Sequence, residues 1–318
     1  MPLFVCTANR RAPRLRGAHV SQSRFGMLDL LLVLVIVAWG TNLSVIKVAL
    51  AEFPVHAFNA LRMVVAGAAF ALILWRMHPD ERAVERSDRG RVVFLGLIGG
   101  TFYQLLFVSG VPATSVANTG LIFGLTPVVV SLFSSVVGHE ELPWTRWAGA
   151  VLSVVGLYFV VGAGAAVTRA SLTGDALVFV AMLCWSAYSV ASRPMLGRYS
   201  PTMLTAWAAI VAVPLYLLFA VPSLAATEWA AVSWWGWTLM LWSSTFCLVL
   251  AYVIWYTGVQ KLGATRTSAY SNLTPIAAMV VAWLWLGETV TPGQALGAAA
   301  ILAGVFLTRL SPVVLKPV

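Results

Sequence analysis

Long apolar stretches separated by short polar segments make up most of the chain. Each stretch has roughly 20 residues and few charges, enough to cross the ~30 Å hydrocarbon core of a bilayer as an α-helix. The stretches are predicted at 28–50, 57–76, 92–111, 114–138, 145–163, 174–193, 202–221, 236–258, 265–287 and 292–309. Because most connections are very short, consecutive helices are expected to run antiparallel. The pattern predicts an all-α polytopic membrane protein with ten transmembrane helices.

The second half of this pattern repeats the first. Positions that recur 148 residues later without a gap are Thr119, Leu125, Thr126, Pro127, Glu140, Gly149, Ala150 and Gly156, which match Thr267, Leu273, Thr274, Pro275, Glu288, Gly297, Ala298 and Gly304. In the first helix of each half, Asp29, Trp39 and Lys47 match Asp175, Trp185 and Arg193. Five helices is an odd number, so the second copy must enter the membrane from the opposite side. Such inverted repeats are typical of transporters with alternating access.

Composition agrees with this membrane assignment. Apolar residues make up 60% of the chain and charged residues 10%, with a mean hydropathy of +0.88; soluble domains contain ~25% charged residues. The predicted organisation is a disordered basic cytoplasmic tail at 1–27, five-helix repeats at 28–163 and 174–309, and a cytoplasmic tail at 310–318. The first tail has no apolar core, so a cleaved signal peptide is not expected.

The net charge of +9 has a membrane explanation rather than a nucleic-acid one. With the N-terminus placed in the cytoplasm, every Lys and Arg except Lys47, Arg62 and Arg169 falls on the cytoplasmic side. Membrane proteins retain Lys and Arg in their cytoplasmic loops. The distribution therefore predicts that both termini are cytoplasmic. The expected partners are the lipid bilayer and a small-molecule substrate, with no nucleic acid.

Three segments carry a resemblance to a known family. They are W-G-T-N-L-S-V-I-K at 39–47, G-H-E-E-L to G-A-V-L-S-V-V-G within 138–156, and G-E-T-V to G-A-A-A-I-L-A-G within 287–304. Together they resemble the paired EamA-like domains of the ten-helix drug/metabolite transporter superfamily. Within it, the chain most resembles bacterial aromatic amino acid exporters. The resemblance implies a carrier of small organic molecules in the bacterial inner membrane.

Acidic residues lie only at the predicted helix ends or in loops. Asp29 and Asp175 are expected to begin helices, where a carboxylate interacts favourably with the helix dipole. Glu140 and Glu288 are expected to serve in capping or packing. Because no carboxylate is predicted near the midplane, a simple Asp or Glu proton relay is disfavoured.

The basic residue Lys47 has two possible roles. It lies about one turn inside the outer end of the first helix, so its ammonium group can extend to the lipid headgroups. Alternatively, it attracts a substrate carboxylate at the outer mouth, since ionisable groups in membrane helices often serve function. Arg62 and Arg193 share this ambiguity with a weaker case.

Aromatic and amide residues recur at mid-depth in the first, third, sixth and eighth helices. They are Trp39, Asn42, Tyr103, Gln104, Trp185, Tyr188, Tyr252 and Trp255. Lipid-facing aromatic residues normally lie at the interfaces rather than halfway through a bilayer. The set therefore predicts a central cavity that binds a flat or apolar side chain by stacking and a few hydrogen bonds. Ordinary helix packing is the alternative for each residue taken singly.

Pro127 and Pro275 are predicted to bend the fourth and ninth helices. Each removes a backbone donor and frees a carbonyl four residues earlier, at Phe123 or Ser271. Asn118 and Asn272 lie near these bends, so the carbonyls and amides could line the cavity; packing alone is the alternative. The small residues Gly149, Ser153, Gly293 and Gly297 predict close helix packing, as scaffold or as a dimer surface.

These features predict a carrier that exports small organic metabolites, most of all amino acids with aromatic or apolar side chains. One alternative is an uptake carrier for a sugar or nucleoside-like solute. Another is an integral membrane enzyme acting on lipid, which would need convergent acid and base groups at one depth. The sequence contains no Gly-rich phosphate loop and no metal-like cysteine spacing, so no catalytic residue, metal or cofactor is predicted. Both a monomer and a homodimer remain open.

Overall fold

The computed structural model describes residues 26–138, 144–162 and 169–309. Helices account for nearly all of these residues, and no strand occurs among them. Residues 1–25 and 310–318, which make up nearly all of the two predicted tails, lie outside the described residues, as does Glu140.

Ten helical segments coincide with the ten predicted stretches. They are α1 (Met27–Ala49), α2 (Val55–Arg76), α3 (89–113), α4 (Val116–Val136), α5 (Trp144–Gly162), α6 (Arg169–Leu196), α7 (Pro201–Ala225), α8 (Trp234–Leu262), α9 (264–286) and α10 (Pro292–Arg309). Seven described helices are long and apolar enough to cross a membrane, and α5 and α9 contain shorter apolar helices. The predicted all-α polytopic membrane fold is therefore confirmed.

Contacts between the two halves follow the sequence repeat. Helix α1 packs against α8 and α9, while α6, its counterpart in the repeat, packs against α3 and α4. Helix α3 packs against α7, as α8 packs against α2, and the other large contacts pair α2 with α7, α4 with α9 and α5 with α10. Each contact therefore either has an equivalent in the other half or joins two equivalent helices. A two-fold relation between the predicted repeats would produce this pattern.

Helices α3 and α8 each contain a wide π-helical segment, Gly96–Phe102 and Ser243–Leu250. These segments occupy corresponding places in the two repeats. In α3, glycine permits a close approach, because a Cβ atom on Gly99 would overlap the ring of Tyr188. π-Helical turns inside α-helices often occur at functional sites because they redirect the side chains that follow.

Both predicted prolines mark breaks in the helical hydrogen bonding. In α4, one helix ends at Phe123 and the next begins at Thr126, with Pro127 in its first turn. In α9, Pro275 likewise lies in the first turn of Thr274–Val281, after a 3₁₀ segment. The carbonyl of Phe123, predicted to be free, instead accepts a hydrogen bond from Thr126 Oγ1 at 2.6 Å. Movement about these breaks remains a prediction.

The predicted small-residue faces meet within the chain. Helices α5 and α10 pack so closely that a Cβ atom on Gly304 would collide with the Ser153 hydroxyl. A Cβ atom on Gly156 would lie 2.8 Å from the carbonyl oxygen of Gly297. These residues therefore form an intramolecular scaffold, which is one of the two uses expected of them.

Candidate functional site

A central cavity lies between the helices of the two halves. The space that its walls enclose is small, about 50 Å³. Its larger aromatic walls are Trp39, Tyr103, Phe107, Phe123, Trp185 and Tyr252. Its charged or hydrogen-bonding residues include Asn42, Arg62, Gln104, Thr126, Ser271 and Thr274. A mainly apolar wall with a few polar groups is the usual composition of a small-molecule site.

Trp185 of α6 lies at the centre of the aromatic wall. Its ring centroid is 5.4 Å from that of Trp39, 5.4 Å from that of Tyr103 and 5.2 Å from that of Tyr252. The contacts with Trp39 and Tyr252 are edge-to-face, an arrangement that adds to the stability gained by burial. Aromatic residues from α1, α3, α6 and α8 therefore meet in one cluster, and the two repeats both contribute.

Two side chains of α1 in the cavity wall are hydrogen-bonded to the π-helical segment of α8. The indole Nε1 of Trp39 donates to the carbonyl oxygen of Cys247 at 3.0 Å. One turn further along α1, Asn42 accepts a hydrogen bond from the hydroxyl of Ser243. These two contacts fix the orientation of both α1 side chains toward the cavity.

Arg62 of α2 is the cation of the cavity wall and is 1% exposed. Its Nη1 donates to Asn59 Oδ1 at 2.9 Å, and its guanidinium carbon lies 5.5 Å from the centre of the Phe58 ring. Its Nε has no hydrogen-bond partner within the described part of the chain. No Asp or Glu is among the described residues that line the cavity.

Lys47 lies outside the cavity lining and its ammonium group is paired. Its Nζ is 2.8 Å from Glu288 Oε1 and 3.1 Å from the carbonyl oxygen of Thr114. The other carboxylate oxygen of Glu288 accepts the backbone N–H of Val116, at the start of α4, at 3.1 Å. Glu288 follows Gly287, whose φ of +67° ends α9 in the left-handed conformation that glycine favours. Attraction of a substrate by Lys47 would have to compete with Glu288.

The structure corrects the expected role of Asp175. This residue does not begin α6, because the helix starts at Arg169. The buried carboxylate instead accepts hydrogen bonds from the Thr114 hydroxyl and from Asn118 Nδ2. Asn118 Oδ1 accepts a further bond from Gln294 Nε2 at 2.8 Å. Asn118 is therefore engaged in a network between helices and does not line the cavity.

The remaining predicted residues lie around the cavity without lining it. Tyr188 lines a neighbouring pocket of about 40 Å³, which shares Gln104 and Tyr252 with the central one. Trp255 packs against Trp39 with ring centroids 5.1 Å apart. Asn272 is absent from the described lining of both pockets, and its Oδ1 has no described partner.

A second polar cluster joins the halves on the side predicted to be cytoplasmic. Arg198, between α6 and α7, lies 2.6 Å from both Asp88 and Glu85 in the segment before α3. The hydroxyl of Tyr199 donates to Asp88 at 2.7 Å. The hydrogen bond to Glu85 is the main cause that raises the pKa of Arg198, and burial together with the bond to Asp88 raises the pKa of Tyr199.

Polar residues of the cavity wall that sequence reasoning missed had a signal in the repeat. Thr126 and Thr274 occupy equivalent positions, each directly before a proline, and both line the cavity. Arg62 could have been ranked above Lys47 by depth. At 1.5 Å per residue, Arg62 is ~10 Å from the start of α2 and Lys47 ~3 Å from the end of α1.

Comparison with known proteins gives the family of this fold and cavity. The EamA-like transporter family matches residues 26–162 and again 172–310, so the two matches together span most of the chain. The chain belongs to the EamA-like transporter family. Like other members, it is a multi-pass membrane protein of the transporter class. The double match also agrees with the internal repeat seen in the sequence.

Proteins similar to this chain come from bacteria and archaea. A probable terminal-alkyne amino-acid exporter of Streptantibioticus cattleyicolor is 28% identical over 87% of this chain and 91% of its own length. Uncharacterized transporters of Bacillus subtilis (YyaM) and Archaeoglobus fulgidus are 23% and 28% identical, over 84% and 88% of this chain and 88% and 96% of their own lengths. A crystal structure shares the fold with a TM-score of 0.66 at 22% identity, covering 89% of this chain and 97% of the other.

Proposed function

We propose that this EamA-like transporter exports small organic metabolites, preferentially amino acids with aromatic or apolar side chains, across a bacterial inner membrane. The central aromatic cavity carries the proposal. Trp39, Tyr103, Trp185 and Tyr252 offer ring faces and edges to an apolar side chain, and amide and hydroxyl groups lie beside them. The 28% identity to a probable amino-acid exporter supports the substrate class and the outward direction.

Alternating access would require the ion pairs at the two ends of the helix assembly to break in turn. At the end predicted to face outward, the Lys47–Glu288 pair joins α1 to the end of α9. At the other end, Arg198 joins the α6–α7 connection to Asp88. Opening toward either side breaks the ion pair on that side, while the ion pair on the opposite side stays formed. The breaks at Pro127 and Pro275 provide places where α4 and α9 can bend.

An amino acid fits this wall better than a sugar or nucleoside-like solute does. A sugar presents hydroxyl groups in every direction and leaves a buried polar group unpaired wherever the wall is apolar. The cavity wall is instead mainly aromatic and aliphatic, with its hydrogen-bonding groups few in number. Family membership and similarity to transporters favour a carrier over the alternative of a lipid-modifying enzyme.

Counterflow in liposomes tests the proposal. Purified protein is reconstituted with an unlabelled solute inside, and uptake of labelled amino acids, nucleosides and sugars is measured. We expect accumulation of labelled phenylalanine or leucine when the same amino acid is inside, and none in protein-free liposomes. Exchange of nucleosides or sugars without exchange of any amino acid would show that the proposed substrate class is wrong.

A further inference from the structure

The charge of Arg62 is buried without a carboxylate partner in the described residues around it. Arg62 lies in the middle of α2, is 1% exposed and lines the central cavity. A buried, unpaired charge costs several kcal/mol. Ionisable groups kept at such depth in membrane proteins usually face a cavity and act in function. The carboxylates of Asp88, Asp175 and Glu288 are paired with other groups.

Two nearby contacts orient Arg62 without neutralising it. Asn59 lies one turn away on the same helix and accepts from Nη1 through a neutral amide oxygen. The ring of Phe58 contributes a cation–π contact. Both partners come from α2 itself, so the orientation is built into one helix. They leave the Nε donor of Arg62 without a described partner.

Other polar atoms of the same wall are also unpaired. Gln104 Oε1 and the hydroxyl of Tyr252 are buried and lack a described hydrogen bond of normal geometry, although the two side chains lie beside each other. Buried polar atoms are nearly always hydrogen-bonded, and three of the nine described exceptions belong to residues that line this cavity, where a bound molecule could supply the partners. Here the unpaired set combines a cationic donor, Arg62, with a neutral acceptor, Gln104.

We propose that Arg62 binds the carboxylate of the transported molecule, so that every good substrate carries one. This inference rests on the proposed function and names the chemical group that selects the substrate. The planar guanidinium fork matches a carboxylate in geometry and charge. Gln104 Oε1 accepts from the ammonium group of an amino acid, and the aromatic wall contacts its side chain. A phosphate dianion is not matched, because Arg62 is the cation among the described lining residues.

Competition binding to purified protein tests the carboxylate assignment in the wild type. Labelled L-phenylalanine and labelled 3-phenylpropanoate are the probes. Unlabelled 3-phenylpropanoate keeps the carboxylate and lacks the ammonium group, whereas phenethylamine keeps the ammonium group and lacks the carboxylate. We expect 3-phenylpropanoate to compete at least tenfold better than phenethylamine. Equal competition, or no binding of either labelled carboxylate, overturns the proposal.

Variants then assign the effect to Arg62. In Arg62→Gln, phenylalanine affinity should fall by about ten- to a hundredfold, the value of a hydrogen bond to a charged group, while competition by the cation phenethylamine does not weaken. Arg62→Lys should recover part of the affinity because the charge is kept. Arg76→Gln, at the exposed far end of the same helix, is the matched control and should bind like the wild type. Unchanged affinity in Arg62→Gln overturns the assignment.

The two proposals fail separately. If the wild type exchanges no amino acid but binds 3-phenylpropanoate in an Arg62-dependent manner, the proposed function is wrong and the carboxylate site stands. If amino acids exchange normally and Arg62→Gln binds them like the wild type, the function stands and the carboxylate site is wrong. Thermal unfolding of Arg62→Gln separates loss of binding from loss of fold. If this variant is unstable, the wild-type competition series still tests the carboxylate requirement, and Arg62→Lys tests the residue.

Discussion

At the scale of single residues, Trp185 has the most connected ring of the cavity wall. It contacts Trp39, Tyr103 and Tyr252, which come from α1, α3 and α8. One side chain thus joins aromatic residues of both halves. Its removal would open space that its neighbours cannot fill without leaving their own contacts. The same position is occupied by Trp39 in the first repeat.

We expect Trp185→Ala to lower counterflow of phenylalanine by about three- to tenfold, because one aromatic contact contributes ~0.5–1.5 kcal/mol beyond buried area. Trp185→Phe should retain more activity because a ring remains. The measurement is the initial rate of exchange at a substrate concentration below half-saturation. Trp234→Ala is the matched control, since Trp234 is 82% exposed at the start of α8. Equal rates for Trp185→Ala and the wild type would contradict a central aromatic site.

The sequence predicts some cavity residues better than others for a physical reason. Trp39 and Gln104 could be predicted because mid-depth polar or amphipathic side chains are rare in lipid-facing positions. Depth ranks Arg62 above Lys47, but it does not reveal the ion pair of Lys47, because the partner is far away in the chain. Glu288 lies 241 positions from Lys47 and occupies its ammonium group. Arg62 has only neutral partners among the described contacts, and these lie on its own helix.

At the scale of helices, the close packing of α5 against α10 depends on glycine residues, which have no side chain. Gly304 lies directly against Ser153 and the backbone of Gly149, so the two helices approach as closely as backbones permit. Van der Waals packing of this kind drives helix association in membranes. The contact joins the last helix of one repeat to the last helix of the other.

We expect Gly304→Ala to destabilise the protein by ~1–3 kcal/mol, the usual cost of adding a methyl group to a packed contact. The readout is the thermal unfolding midpoint in detergent. Gly90→Ala is the matched control, because a Cβ atom there would have no neighbour within 4 Å; it should keep or raise the midpoint. Equal midpoints for Gly304→Ala and the wild type would show that α5 and α10 can separate without loss.

Helix positions follow from hydrophobicity, whereas the form of each helix does not. The apolar stretches place all ten segments to within a few residues, because a bilayer requires them to be long and uncharged. The π-helical segments have no such pattern, since they depend on local packing, of the α3 segment against α6 and α7 and of the α8 segment against α1 and α2. The start of α6 at Arg169 was also missed, because Arg169, Ser171 and Thr173 interrupt the apolar pattern.

At the scale of the whole molecule, both ends of the helix assembly are tied by ion pairs between the repeats. Lys47–Glu288 and Arg198–Asp88 each join residues from different halves. The central cavity lies between these two levels. Under the proposed alternating access, each of these two ion pairs would close the cavity toward one side of the membrane. The side of the membrane on which each ion pair lies follows from the Lys and Arg distribution and remains a prediction.

The unpaired charge of Arg62 also has an electrical consequence. A zwitterionic amino acid has no net charge, so the loaded and the empty transporter have the same net charge. A membrane potential therefore does not favour either of them. One elementary charge moved through 100 mV corresponds to ~2.3 kcal/mol. A potassium diffusion potential set with valinomycin should therefore leave net phenylalanine efflux unchanged. The same potential, negative inside, should accelerate efflux of 3-phenylpropanoate, which carries one negative charge. Equal voltage responses for the two molecules would contradict this charge balance.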